Sequence, residues 1–508
     1  MTHGFSLSSW IILIGYVVAI GTIGSLFYRK KSSASDYFLG GRAMGFIPVA
    51  ISLVAADMSA ISYMGVPAWG FGHNLELFLQ TVVFLAAVPV VMYLFLPFYS
   101  RFQFYTGYEY LERRFDLKTR LLGSALFLIT RGGHVAIVIY APSMVLSLLT
   151  GVSLGACILV MGMVTTLYTT LGGMKAVIWT DVLQFTILVT GVITVFWLSI
   201  AKIPGQLHGF FQIASDYGRF HMFNFTLDPT VFTGFWPMVL GGGTLLLSTM
   251  GTDQAYLQRY FATKSLEEGR KSVLLDGLIV VPVGFLLFLL GTAMFVFYHE
   301  YPSRLAGLPN VDVILPFFVV HELPGVLSGF VIASIFAASM AVMSAGINSL
   351  TTVTTVDFYQ RLFRKGELGP SVVLVGRLGT VWWGIAATIG ALYANRLGPL
   401  TNAFNLINSY LGGPILGIFL LGMLTRRAKG TATVCGAFLG VLAVAAMGWK
   451  SKWSFYYFSF FGVIVTCVSG YLLSLMGPAP NPESLRGLVH GLDTLDEPVA
   501  KFDLETGI

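Results

Sequence analysis

The sequence predicts an all-α protein that crosses a membrane many times, and three observations carry that prediction. Of its 508 residues, 56% are hydrophobic and only 11% charged, where a soluble domain carries about 25% charged residues. So few charges cannot cover a water-facing surface, and so much apolar character excludes a disordered chain. The apolar residues gather into runs close to the roughly 20 residues that a helix needs to cross a hydrocarbon core. The Lys and Arg residues gather in short stretches between those runs.

Thirteen runs qualify: about 9–27, 45–71, 76–98, 121–149, 152–171, 178–201, 232–256, 272–298, 314–356, 371–394, 398–424, 431–449 and 454–476. They predict one integral membrane domain over residues 1–476 and a polar tail over 477–508, for which little order is expected. The first run, from Trp10 to Phe27, has its basic residues (Arg29, Lys30, Lys31) behind it. That is the pattern of a retained span with the N-terminus outside, not of a cleaved leader. With thirteen spans, the basic groups Arg113–Arg120, Arg259–Lys271, Arg361–Lys365 and Arg426–Lys429 all fall on the cytoplasmic side, and so does the C-terminus. The protein is therefore expected in the plasma (inner) membrane, and the net charge of +6 reads as topology, not nucleic-acid binding. The run over 314–356 is long enough for a tilted span plus a helical loop segment. The three cysteines lie inside apolar runs with no metal or disulfide spacing.

Two runs are interrupted. The second holds Asp57, Ser59, Ser62, Gly65 and Pro67; the seventh holds Pro237, Gly241 to Gly243, Ser248 and Gly251. Matched, broken helices five spans apart predict two five-helix repeats of inverted topology, with a polar solute and a cation at the break. Close packing at small residues is the competing explanation for any single glycine.

Ionisable groups inside a membrane are expensive and need a reason. Asp57 requires a cation, an arginine or a proton. Arg131 and His134, three apart, share a helical face and either meet an anionic solute or pair with Asp57 or Asp181; His134 is also a possible proton carrier. Asp181 is either an ion ligand or a carboxylate favoured by a helix N-terminus. Ser339, Ser344, Ser349, Thr351 and Thr352 in the ninth run either bond to their own helix or face a solute. Asn402, Asn405, Asn408 and Ser409 are denser than packing requires, and Asn405 is the candidate for solute contact. No P-loop, HExxH or CxxC pattern occurs, so ATP-driven transport has no support and the chain does not read as an enzyme.

Seven stretches resemble the sodium/solute symporter family: DYFLGGR (36–42), SLVAADMSAISYMGVPAWGF (52–71), YEYLERRF (108–115), GGMKAVIWTDVLQF (172–185), TDQAYLQRYFATKS (252–265), INSLTTVTTVDFYQRL (347–362) and SYLGGPILGIFLLGML (409–424). The resemblance covers about residues 10–476. It implies a LeuT-like fold: a leading helix (9–27), core repeats over about 45–201 and 232–424, and trailing helices over 431–476. It implies alternating access, with Na⁺ coupled to a small organic solute, anionic or zwitterionic: a monocarboxylate, a sialic acid or an amino acid. For the shared sodium site it implies the carbonyls of Ala55, Met58 and Ala338. The two adjacent hydroxyl positions of that site are Ala341 and Val342 here, which offer no side-chain oxygen. Asp57 stands where the family's proline carriers also have Asp. Asp181 and Ser344 match a second sodium site, whose neighbouring hydroxyl position is Ala345. For solute, the resemblance points to Ser59, Ser62 and Gln80, with His134 where sialic-acid carriers have Arg and Arg131 one turn away. Ala341 and Val342 favour the alternative of proton coupling or uniport in the same fold. The expected partners are a small solute and the lipid bilayer, with no nucleic acid and no obligate protein partner evident.

Overall fold

The computed structural model describes residues 6–28, 33–364, 371–394 and 400–492, with backbone alone over 400–407. Among the described residues each of the thirteen predicted runs is helical over most of its length, and no strand forms. The leading helix α1 (Leu7–Leu26) and the short α2 (Ala34–Leu39) precede a broken pair, α3 (Phe46–Asp57) and α4 (Ala60–Gly72). Next come α5 (Phe78–Val90) and α6 (Leu96–Arg101), joined by a π turn, then a short α7 (Glu109–Arg114) and the long α8 (Leu117–Thr150). Helix α9 (Leu154–Ala201) runs through two predicted spans. It kinks at Gly173, whose backbone (φ 58°, ψ −159°) is one that a side chain disfavours. An amphipathic α10 (Gln206–Asp216) leads to the second broken unit, a π turn (Pro237–Gly242), α11 (Gly243–Thr252) and α12 (Gln254–Phe261).

The remaining helices are α13 (Leu266–Glu300), α14 (Ile314–Glu322), α15 (Gly325–Val353), α16 (Ser371–Tyr393), α17 (Leu400–Leu424), α18 (Gly430–Lys450) and α19 (Tyr456–Leu475). The long run over 314–356 thus resolves into α14 and α15, as its length predicted. Boundaries follow local chemistry. Asp116 caps α8 by accepting from the Thr119 N–H at 2.8 Å, and Gly151 (φ 72°) ends it. Ser265 caps α13 at the Glu268 N–H.

Helix α15 is the axis of the bundle. Every residue from Val331 to Val353 is buried, and α1, α3, α8, α9 and α16 pack around it. Such a helix cannot expose its hydroxyls to water or lipid. Ser334, Ser344, Ser349 and Thr352 accordingly donate to carbonyls of their own helix.

At the end of the bundle that carries α7, charges are buried and matched. Asp357, fully buried in the π turn that continues α15, accepts from Arg120 Nε at 3.0 Å and Nη2 at 2.5 Å. It also accepts from Thr106 Oγ1 at 2.6 Å and Ser124 Oγ at 2.7 Å. Glu112 links Arg120 (2.7 Å) to Arg361 (2.6 Å). Burial pushes the Glu112 carboxyl up, but Arg361 and Arg120 outweigh it and hold the group below its ordinary pKa. This pairing therefore stabilises the fold at neutral pH and is lost as the pH falls through that lowered value.

The tail corrects an expectation. Residues 477–492 are ordered against this same end. The Tyr110 hydroxyl donates to the Leu488 carbonyl at 2.9 Å, and the His490 N–H donates to the Met423 carbonyl at 2.7 Å. The reason is local: Leu485, Leu488 and Val489 form an apolar patch that is buried. Residues 493–508 lie outside the described part.

Asp357→Ala leaves the Arg120 guanidinium without its principal counter-ion inside the protein. We expect a loss of about 3–5 kcal/mol of stability, read as a lowered melting temperature of the purified protein. A change below about 1 kcal/mol, the scale of a surface pair, contradicts the assignment.

Candidate functional site

The site is built on the two broken helices. Helices α3 and α4 meet at a bend of 65°, where Met58 (φ −81°, ψ 86°) leaves helical geometry. Ser59 then caps α4, its Oγ accepting from the Ile61 N–H at 3.2 Å. The repeat partner breaks at Asp253, extended (φ −76°, ψ 125°) between α11 and α12, which caps α12 through the Ala255 N–H at 2.8 Å. Each broken helix thus carries an aspartate at its break, Asp57 in one and Asp253 in the other. Sequence reasoning singled out only the first. The available signal for the second was its place in TDQ, straight after the Gly251 of the interrupted run.

Arg131 joins the two breaks. It is 5% exposed on α8, and its Nη2 lies 2.6 Å from Asp253 Oδ2. Its Nη1 donates to His134 Nδ1 at 3.1 Å; an arginine has no lone pair to offer, so that ring nitrogen is the acceptor. Asp57 lies within electrostatic range of Arg131 and of Asp253. Arg131 and His134 do share a face, but the ion-pair partner is Asp253, not the Asp57 or Asp181 that sequence reasoning offered. Beside this pair, Thr130, Ser248, Thr252, Asn408 and Tyr108 line a polar cavity of about 30 Å³ between α8, α11 and α17, room for about one water.

Asp181 has a different partner. It is fully buried on α9, and its Oδ2 accepts from Ser52 Oγ at 2.5 Å and from Arg259 Nη2 at 2.8 Å. The expectation that Arg259 is a loop charge is corrected: it is 1% exposed in α12. Two further bonds hold its guanidinium. Nε donates to Ser52 Oγ at 2.7 Å, and Nη1 to the Ala255 carbonyl at 2.7 Å. Asp181 is thus charge-paired by an arginine before any ion is considered, and it sits inside a long helix, not at a helix N-terminus.

The remaining candidates divide. Ala55 lies in the last turn of α3, where carbonyls lack intrahelical partners. Ala338, Ala341 and Val342 are all buried on α15, so the two apolar side chains sit where the resemblance calls for hydroxyls. Ser344 donates to the Ala341 carbonyl at 3.0 Å. Ser59 is buried and Ser62 half-buried. Gln80 is tied to the trailing helix α19, accepting from the Tyr456 hydroxyl at 2.5 Å, and its Cγ stands 3.9 Å from where a Cβ on Gly242 would be. The side chain of Asn405 lies outside the described residues.

Two inverted, mid-broken helices with polar groups at the breaks define a secondary transporter of LeuT-like architecture. Residues 37–443 match the sodium:solute symporter family. The chain is 29% identical over 482 residues to the sodium/sialic acid symporter SiaT of Proteus mirabilis, covering 94% of this chain and 97% of that protein. It is 32% identical over 451 residues to the sodium-coupled monocarboxylate transporter 1 of Mus musculus, covering 86% and 72%. The solved structure of a substrate-bound, outward-open Na⁺-coupled sialic acid symporter superposes with a TM-score of 0.87 at 28% identity, over 94% of this chain and 99% of that one. The chain belongs to the sodium:solute symporter family and is a sodium-coupled symporter of a small solute.

The Arg259–Asp181 pair makes its own prediction. Asp181→Ala strands a buried guanidinium and costs about 3–5 kcal/mol, equally in Na⁺ and in K⁺. Asp181→Leu with Arg259→Met removes both charges and regains most of that loss. A penalty seen only in Na⁺ shows instead that Asp181 holds the ion.

Proposed function

We propose that the protein imports a small organic anion together with Na⁺ across the plasma membrane. The single observation that carries the anion is Arg131, a guanidinium buried between the two breaks and paired with one carboxylate. A solute carboxylate that reaches it exchanges one anionic partner for another, so the buried charge never stands alone. Helix α4 supports the same chemistry: it begins at the break, and a helix N-terminus attracts anions through its unpaired N–H groups and dipole. Ser59 and Ser62 add hydroxyls there. The named relatives carry sialic acid and monocarboxylates, which share one feature with each other, a carboxylate.

Orientation follows from charge. The basic groups Arg113–Arg120, Lys264–Lys271, Arg361–Arg364 and Arg426–Lys429 all lie at the end of the bundle that carries α7 and the docked tail. We take that end as cytoplasmic by the positive-inside rule. The N-terminus is then outside, and the sodium gradient runs inward.

Uptake into proteoliposomes tests this, with labelled N-acetylneuraminate, lactate and proline under an inward Na⁺ gradient and in K⁺. We expect saturable, Na⁺-dependent uptake of a carboxylic acid, lowered more than about tenfold by Arg131→Gln, the scale of losing a buried charge partner. Labelled glucose serves as the neutral control: uptake of glucose and of none of the acids, or anion uptake indifferent to Na⁺, overturns the reading.

A further inference from the structure

The shared sodium site implied by the family does not fit this chain. Ala341 and Val342 supply no oxygen, and Asp181 of the second site is neutralised by Arg259. Na⁺ is a hard cation that requires several oxygen ligands, so a sodium-coupled protein with these residues needs oxygens elsewhere.

Asp276 supplies them. It stands on α13, fully buried, and neither carboxylate oxygen has a hydrogen-bond partner. The groups within electrostatic range are Asp57 at the break of α3, and Arg259, Tyr256 and Tyr260 of α12. None of them satisfies it. Arg259 is committed to Ser52, Ala255 and Asp181. The Tyr260 hydroxyl donates to the Met250 carbonyl at 3.1 Å. The Tyr256 hydroxyl, 1% exposed, faces Asp57 but falls short of hydrogen-bond geometry. A buried carboxylate with both oxygens free is costly as an anion unless it takes up a proton or something cationic occupies the space in front of it.

Charge counting points the same way. Around the breaks stand four aspartates, Asp57, Asp181, Asp253 and Asp276, and two arginines, Arg131 and Arg259. Each arginine pairs with one aspartate, which leaves Asp57 and Asp276 as the unmatched pair. Asp57 is half-buried at the break, and Asp276 is fully buried on α13.

We propose that Asp57, Asp276 and the Tyr256 hydroxyl form a sodium-binding site between α3, α12 and α13, which serves in place of the missing hydroxyls on α15. The site ties the break of the first repeat to both α12 and α13 of the second. Filling or emptying it therefore changes which packing of the two repeats is favoured, the requirement for coupling an ion to alternating access.

This inference rests on sodium coupling, and the test separates the two. The full-length protein in detergent is melted over a series of NaCl concentrations, with choline chloride holding ionic strength constant. The wild type should show saturable stabilisation by Na⁺. Asp276→Asn and Asp57→Asn should each raise the half-maximal Na⁺ concentration by about tenfold or more, the loss of one charge-assisted contact. In choline, Asp276→Asn should melt no lower than the wild type, since it removes an unmatched charge; this control distinguishes a lost site from a damaged fold. Asp181→Asn should leave the Na⁺ midpoint unchanged. A wild type without Na⁺ response defeats sodium coupling itself. A wild type that responds, with Asp276→Asn responding at the same midpoint, overturns only the site. A shift produced by Asp181→Asn and not by Asp276→Asn returns the ion to the family's position.

Discussion

Every buried carboxylate in this bundle has to be matched by something positive, and that requirement organises the structure. Inside a membrane protein an unmatched charge costs several kcal/mol. The fold meets the cost with arginines drawn in from distant segments. Arg120 holds Asp357, Arg259 holds Asp181, and Arg131 holds Asp253. Each of these pairs crosses between helices far apart in sequence, so each also fixes how two elements sit against one another.

Helix α15 shows the complementary constraint. Its buried length packs on several neighbours, so its side chains are mostly small or apolar, and the hydroxyls of Ser334, Ser344, Ser349 and Thr352 are spent on its own backbone, while those of Ser339 and Thr351 have no hydrogen-bond partner among the described residues. Ala341 and Val342 suit that packing and offer no side-chain oxygen.

The docked tail belongs to the same economy of exposed groups. Leu485, Leu488 and Val489 cover apolar surface at the end where α7 and the π turn after α15 bury their charges. The backbone of the tail satisfies Tyr110 there, and accepts from Arg101 at Gly487. A stretch that looks polar on average is held by three apolar residues.

The sequence alone determined the membrane class, the thirteen helical runs, the two broken helices and the family. Those depend on composition and on short-range spacing, and a hydrocarbon solvent leaves a helix little choice. It also singled out Asp57, Ser59, Arg131 and His134 as candidates, because each is a polar residue in an apolar run. Only the tertiary structure decided what those groups face. That Arg131 meets Asp253, that Arg259 leaves its expected loop to neutralise Asp181, and that Asp276 stands without a partner all depend on which helices pack together. Ion-pair partners 122 or 78 residues apart leave no periodicity to read, so the charge map of the site is a property of the packing and not of any segment.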